Sequence, residues 1–131
     1  MDSTATRTVL IAEDNPALLK VTQFSLERAG LAVESASDGM AALEMLREKR
    51  YGLLVTDQQM PRLCGVDLVR EARELPTHKE TPVILLTAKA MELSHDELAE
   101  ELAIHHVLRK PFSPLEVSRL VDQLLASTVG D

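Results

Sequence analysis

The sequence is poor in cysteine and in aromatic residues. Its 131 residues include one cysteine, one tyrosine, two phenylalanines and no tryptophan. A single cysteine, Cys64, excludes an internal disulfide and fits a reducing compartment. Because hydrophobic residues make up 45% of the chain and aromatic residues only 2%, the core must consist of aliphatic side chains. A chain of this length is expected to form one domain.

Positive charge and long apolar runs are also scarce. The formal net charge is −7, whereas a nucleic-acid surface needs a basic patch that displaces counterions. No apolar stretch approaches the length of a membrane span, and residues 1–6 lack the basic start and apolar core of a signal peptide. We therefore expect a cytoplasmic protein with neither nucleic acid nor membrane among its partners.

Short apolar runs alternate with amphipathic stretches, a pattern typical of βα units around a parallel sheet. Such units connect through right-handed crossovers and give a three-layer α/β sandwich. The strand order cannot be read from the periodicity. The five predicted strands cover residues 9–12, 31–35, 53–56, 83–86 and about 106–109.

Capping residues and apolar spacing predict the helices. The first helix begins after the N-cap Asn15 and ends at Gly30, and Asp38 caps the second. The third begins at about Gly65, the fourth at Ser94, and the fifth at the Ser113–Glu116 capping box. The first helix is predicted to present a broad apolar face, formed by Leu18, Val21, Phe24 and Leu26. Residues 75–82 are predicted to form a polar loop, and His78 and His95 lie in polar stretches of the sequence.

Polar residues stand where four of the strands end. Glu13 and Asp14 follow the first strand, Asp57 the third, Thr87 the fourth and Lys110 the fifth. The carboxyl ends of parallel strands border one crevice, so these side chains are expected to lie together. Three carboxylates in one pocket repel one another by roughly 1–4 kcal/mol per pair at about 4 Å, and a cation offsets that repulsion. Oxygen ligands of this kind suit Mg²⁺, and the set is typical of metal-assisted phosphoryl transfer to an aspartate.

The order and spacing of these residues resemble the receiver domain of two-component response regulators. The resemblance extends from about residue 7 to about residue 127. It is carried by Glu13-Asp14, Asp57 with Met60-Pro61 and Gly65, Thr87-Ala88, and Lys110-Pro111-Phe112. It implies a flavodoxin-like, doubly wound, five-stranded parallel sheet of order 2-1-3-4-5 with helices on both faces. We expect residues 1–131 to be a single receiver domain with no output domain.

The resemblance also implies roles for individual residues. Glu13, Asp14 and Asp57, with the backbone carbonyl of Gln59, would hold Mg²⁺. Asp57 would be the phosphoacceptor. The Thr87 hydroxyl and the Lys110 ammonium would contact the phosphoryl group, and the peptide bond between Lys110 and Pro111 is expected to be cis.

The same resemblance implies the partners. A histidine kinase or histidine phosphotransfer protein would donate the phosphoryl group. A downstream protein would bind the face made by helix 4, strand 5 and helix 5. The protein would be a signalling phosphoacceptor, and its only catalysis would be to assist its own phosphorylation and dephosphorylation.

Two segments depart from the family pattern. Val107 occupies a position where the family usually has tyrosine or phenylalanine, and the Ala103-Ile104 pair replaces the usual Gly-Ala. Without an aromatic ring at position 107, activation is expected to reorder residues 88–101. The long polar side chains of Gln59 and Lys89 are expected to prolong the life of the phosphoaspartate.

Three other interpretations fit parts of this pattern. A pseudo-receiver, which binds partners without phosphorylation, would be favoured by a missing site residue, and none is missing. The chain could also be a receiver excised from a larger hybrid kinase or regulator. An aspartyl-phosphate phosphohydrolase of the haloacid-dehalogenase type would carry Asp-x-Asp after its first strand, and no such pair follows any strand here.

Overall fold

The computed structural model describes residues 7–88 and 100–129, and side chains up to residue 126. The predictions made for Lys89, Ser94 and His95 lie outside the described residues. Residues 100–102 are helical and are called α4. The other elements are β1 (Val9–Ala12), α1 (Pro16–Arg28), β2 (Val33–Ala36), α2 (Gly39–Glu48), β3 (Leu53–Asp57), α3 (Gly65–Arg73), β4 (Val83–Thr87), β5 (His106–Arg109) and α5 (Pro114–Val129).

The described strands form one parallel sheet of order β2-β1-β3-β4-β5. This is the doubly wound, flavodoxin-like arrangement that the resemblance to receiver domains implies. The register aligns the carboxyl ends, because Ala12 pairs with both Ala36 and Thr56, and Thr87 pairs with Arg109. Residues that follow the strands therefore meet at one edge of the sheet.

Two apolar layers cover the sheet. Alternate strand residues point to opposite faces, so each strand contributes to both layers. One layer packs against α1 and α5 and includes Val9, Ile11, Leu26, Leu53, Val55, Ile84, Leu86, Val117, Val121 and Leu125. The other packs against α2 and α3 and includes Leu10, Leu43, Leu46, Leu54, Leu68, Val69 and Leu85. Within the described residues, each helix is too short or too polar to cross a bilayer.

The starts of α1, α2, α3 and α5 agree with the sequence predictions. Asn15 Oδ1 accepts a hydrogen bond from Leu18 N at 3.1 Å, and Asp38 Oδ1 accepts one from Ala41 N at 2.8 Å. The second strand begins two residues later than predicted, because Leu31 N still donates to Leu26 O at the end of α1.

The apolar face predicted for α1 is only partly buried. Leu26 is buried, but Val21 and Phe24 are 50% and 60% exposed. The buried residues of this helix are Thr22 and Leu26, one turn apart. Residues i and i+4 share one side of a helix, and this pair turns Val21 and Phe24 toward solvent. Of the predicted apolar face, Leu26 therefore packs in the core, whereas Val21 and Phe24 lie on the solvent side.

The sequence around His78 is polar, yet the His78 side chain is fully buried. It belongs to a 3₁₀ turn, Pro76–His78, within the segment predicted to be a loop. Its Nδ1 lies 2.8 Å from Thr81 Oγ1 and its Nε2 lies 3.0 Å from the Lys49 carbonyl oxygen. The Tyr51 ring stacks against the imidazole at a centroid distance of 6.3 Å. Lys49 and Tyr51 are far from His78 in the sequence, so the local sequence does not reveal its burial.

We expect His78 to make stability depend on pH. Burial, with the positive charges of Arg50 and Arg73, lowers the pKa of its imidazole below the usual 6.5. Between the lowered pKa and about 6.5, the unfolded chain therefore binds more protons than the folded chain. The contribution of His78 to the free energy of unfolding is fully present above that range and is lost as the pH falls through it. The free energy of unfolding, measured by urea denaturation from pH 8 to pH 5, should decrease less steeply in His78→Gln than in the wild type. Parallel profiles would contradict this assignment.

Ala103 adopts a left-handed backbone conformation, with φ of 56°. Arg73 holds this turn, because its guanidinium donates to the carbonyl oxygens of Leu102 at 2.8 Å and of Ala103 and His78 at 2.9 Å. These bonds join the ends of α3 and α4 to the segment that precedes β4. A side chain at positive φ strains the backbone, and glycine does not.

Ala103→Gly should therefore stabilise the protein by about 1 kcal/mol. The matched control is Ala29→Gly, at an exposed position with an ordinary φ of −82°, where only the flexibility of glycine is added. Guanidinium denaturation of both variants measures the difference. A loss of stability in Ala103→Gly as large as that in Ala29→Gly would contradict the prediction.

Candidate functional site

Three carboxylates meet where β1 and β3 end side by side. Glu13 and Asp14 follow β1, and Asp57 is the last residue of β3. Each offers an oxygen, and these oxygens all lie within 4.8 Å of one another. Glu13 and Asp57 are buried, whereas Asp14 is exposed. The sequence prediction that the three acids lie together is confirmed.

Lys110, the residue that follows β5, adds a positive charge to the cluster. Its Nζ lies 2.8 Å from Asp57 Oδ1 and 3.6 Å from Glu13 Oε1. The peptide bond between Lys110 and Pro111 is cis, as expected. The backbone nitrogen of Lys110 donates to the Thr87 carbonyl oxygen at 2.7 Å. Thr87 itself is buried at the end of β4, one residue beyond Leu86, the register partner of Asp57.

The site carries more negative than positive charge in partly desolvated surroundings. Burial raises the pKa of Asp57, and the charge of Asp14 adds to this, whereas Lys110 and the Gln59 N–H act in the opposite direction. Burial likewise raises the pKa of Glu13, against a hydrogen bond from Asn15 N. For Lys110, burial lowers the pKa, but Asp57 and Glu13 outweigh it and the pKa is raised. A cation among the three acids would relieve this imbalance.

The residues fit a hard divalent cation. Glu13 Oε1 is buried and accepts no hydrogen bond within the described part of the chain, so it keeps a lone pair for a ligand. Carboxylate oxygens, with backbone carbonyls and water, are the ligands that Mg²⁺ takes in proteins. Asp14, at the exposed side, leaves room for water and for the oxygens of a substrate.

Gly65 allows α3 to begin directly beside the phosphoacceptor candidate. A Cβ at this position would lie 2.5 Å from the Asp57 carbonyl oxygen and 2.8 Å from Leu85 Cδ1. Only glycine permits such a close approach. The position of Gly65 therefore sets the path of residues 58–64, which include Gln59.

Gly65→Ala should displace the backbone at residues 57 and 58. We expect it to cost about 2 kcal/mol of stability and to slow phosphorylation by acetyl phosphate by about tenfold or more, since small displacements of reacting groups are costly. Gly30→Ala is the control, because it adds backbone strain at φ of 90° with no atom within 4 Å of the new Cβ. Unimpaired phosphorylation of Gly65→Ala, followed by intact mass spectrometry, would contradict the prediction.

Two residues near the site were not singled out from the sequence as functional. Gln58 Oε1 accepts a hydrogen bond from Val66 N at 2.8 Å, and Arg62, at φ of 71°, pairs with Asp38 at the start of α2. The sequence offers one hint for Gln58, because cysteine, which stands before α3 at position 64, is not among the residues preferred as N-caps. Arg62 left no signal in the sequence.

The fold and the acidic cluster define a class: doubly wound α/β proteins with a cluster of carboxylates at the carboxyl edge of the sheet. Comparison with known proteins identifies the family within this class. The family model for the response regulator receiver domain matches residues 9–122. This chain belongs to that family.

Individual relatives agree with the family. The transcriptional regulatory protein SrrA of Staphylococcus aureus is 35% identical over 120 residues, which are 92% of this chain and 48% of SrrA. The chain thus spans about half the length of the curated relatives it matches. The receiver domain of a Francisella response regulator is 30% identical, with a TM-score of 0.84 and coverage of 93% of this chain and 98% of that one.

A third relative contains a metal. It is the receiver domain of a sensor histidine kinase from Pseudomonas aeruginosa, solved with a magnesium ion coordinated in its active-site cleft. Its sequence is 28% identical to this chain, the TM-score is 0.81, and the match covers 92% of this chain and 98% of that one. The present chain is therefore a receiver domain of the two-component type.

Proposed function

We propose that this receiver domain accepts a phosphoryl group on Asp57 in a Mg²⁺-dependent reaction and thereby changes its affinity for a partner. One observation carries the proposal. The Asp57 carboxylate, buried at the end of β3, lies beside two further carboxylates and 2.8 Å from the Lys110 ammonium. The family supports a histidine kinase or a histidine phosphotransfer protein as the donor.

The proposed reaction is an in-line displacement at phosphorus. An oxygen of Asp57 forms the new O–P bond while the P–N bond of the phosphohistidine breaks, and the imidazole leaves with its electron pair. Bound Mg²⁺, held by Glu13, Asp14, Asp57 and the Gln59 carbonyl, would neutralise charge on the phosphoryl oxygens. Phosphorylation adds nearly two negative charges, and we propose that Lys110 and the Thr87 hydroxyl contact them.

Two features favour a phosphoacceptor over the alternatives. A pseudo-receiver would need neither Asp57 nor Lys110, yet the two side chains form an ion pair. A phosphohydrolase of the Asp-x-Asp type would need a second acid two residues after Asp57, where Gln59 stands. We therefore propose a signalling protein that has no substrate beyond its own phosphoaspartate.

Asp57 should be the only acceptor. Acetyl phosphate with Mg²⁺ should add one phosphoryl group to the wild-type chain and none to Asp57→Asn, as measured by intact mass spectrometry before and after hydroxylamine. The control is Asp67→Asn, because Asp67 lies exposed on α3 and contacts Arg70. Full labelling of Asp57→Asn, or of the wild type in excess chelator, would contradict the assignment.

An apolar groove offers a docking place for the donor. It begins at Lys110, Pro111 and Phe112 and continues along α1 past Leu18 and Val21. A second hollow, which also includes Val21, extends it to Phe24. A donor must bring its phosphohistidine to Asp57, so the surface contiguous with Lys110 is the surface that it covers. We propose that a helix of the histidine-bearing protein packs against Val21 and Phe24, which also explains their exposure.

Phe24→Ala should slow phosphotransfer from a protein donor but leave the reaction of Asp57 with a small phosphoryl donor unchanged. We expect transfer from a phosphorylated histidine kinase, chosen from the source organism as the one that labels the wild type fastest, to slow by roughly tenfold. Labelling by phosphoramidate, a small P–N donor, should not change. Glu44→Ala, at an exposed position of α2 on the other side of the sheet, is the control. An equal loss with both donors would contradict docking at this groove.

The downstream partner is proposed to bind α4, β5 and α5. In this region Glu100, Glu101 and Arg109 are exposed and Val107 is half-buried. Val107 packs against the apolar layer of α2 and α3. The reordering of residues 88–101 and the long phosphoaspartate lifetime remain predictions, since both depend largely on residues outside the described ones.

A further inference from the structure

Gln58 makes three hydrogen bonds that connect the end of β3 with β4 and with the start of α3. Its backbone nitrogen donates to the Leu86 carbonyl oxygen at 2.7 Å, which joins the end of β3 to β4. Its backbone carbonyl oxygen accepts from Gly65 N at 3.0 Å, and its side-chain Oε1 accepts from Val66 N at 2.8 Å. One residue therefore binds two consecutive N–H groups at the start of α3.

These bonds replace a missing helix cap. The first N–H groups of a helix have no partner within the helix and usually bond to the side chain of the N-cap residue. Cys64, the N-cap of α3, makes no such bond. The acceptor comes instead from Gln58, eight residues before Val66.

The arrangement closes the intervening segment into a loop. Residues 59–64 form a loop that begins after Gln58 and ends where Gly65 and Val66 bond to Gln58. Gly65 packs so closely that an added Cβ would lie 3.0 Å from Gln58 Cα. Gln59 is the first residue of this loop, and its N–H acts on the Asp57 carboxylate so as to lower the pKa of that acid. The orientation of the peptide that bears the Gln59 carbonyl thus depends on where the loop closes.

We propose that Gln58 is a positioning residue for the cation site. Its hydrogen bonds fix both ends of the 59–64 loop and so hold the Gln59 carbonyl toward the acidic cluster. This inference rests on the proposed function. Gln58 itself touches neither the cation nor the phosphoryl group. Partners outside the first ligand sphere commonly change metal affinity by tenfold or more.

The test is Mg²⁺ binding without phosphorylation, measured from the amide NMR shifts of residues 59 and 60 during titration with MgCl₂ alone. Gln58→Met keeps the length of the side chain and removes its acceptor. Its dissociation constant for Mg²⁺ should rise roughly tenfold. The rate of labelling by acetyl phosphate should fall at low Mg²⁺ and return to the wild-type value at saturating Mg²⁺.

A second variant separates positioning from helix capping. Cys64→Ser supplies an ordinary N-cap hydroxyl for the first turn of α3. In Gln58→Met/Cys64→Ser we expect thermal stability to recover while Mg²⁺ affinity stays low, and Cys64→Ser alone should bind Mg²⁺ like the wild type. Recovery of Mg²⁺ affinity in the double variant, or an unchanged affinity in Gln58→Met, would overturn the proposal. A wild-type chain that binds no Mg²⁺ would instead overturn the proposed function.

Discussion

The contact between the Lys110 ammonium and the Asp57 carboxylate is the interaction on which the site depends. Asp57 ends β3 and Lys110 directly follows β5, and β4 separates these two strands in the sheet. The 2.8 Å distance therefore requires that both neighbouring pairs of strands keep their register. A slip of one residue would turn either side chain to the opposite face of the sheet. The lysine also offsets part of the repulsion among three acids, so the cluster is tolerated in the folded chain.

Several backbone contacts hold that geometry in place. Lys110 N donates to the Thr87 carbonyl, and the N–H of Gln58, the residue after Asp57, donates to the Leu86 carbonyl. The backbone at both members of the ion pair is therefore bonded to β4. Gly65 lets α3 start against the Asp57 carbonyl oxygen. The acids then have little freedom to move apart, which favours a bound cation as the means of relieving their repulsion.

The amino edge of the sheet is built in a different way. There, His78 is buried with both ring nitrogens in hydrogen-bonding contact, and Arg73 bonds to three carbonyl oxygens. These contacts join the segments that precede β3, β4 and β5. Stability is thus supplied at the edge opposite the reactive acids. The left-handed Ala103, held by Arg73, shows that this edge contains strain where the sequence has no glycine.

The sequence by itself determined the order of the elements, the helix caps at Asn15 and Asp38, and the set of residues expected at the carboxyl edge. These features are local, because a cap or an apolar strand followed by an acid depends on residues only a few positions apart. Tertiary structure alone decided that His78 is buried, that Val21 and Phe24 face solvent, and that Gln58 caps α3. The burial of His78 depends on contacts with segments distant in sequence, and the exposure of Val21 and Phe24 on the rotation of a helix against its neighbours. The cap by Gln58 depends on the path of the loop that returns Val66 to it. The spacing of residues along one chain does not encode that information.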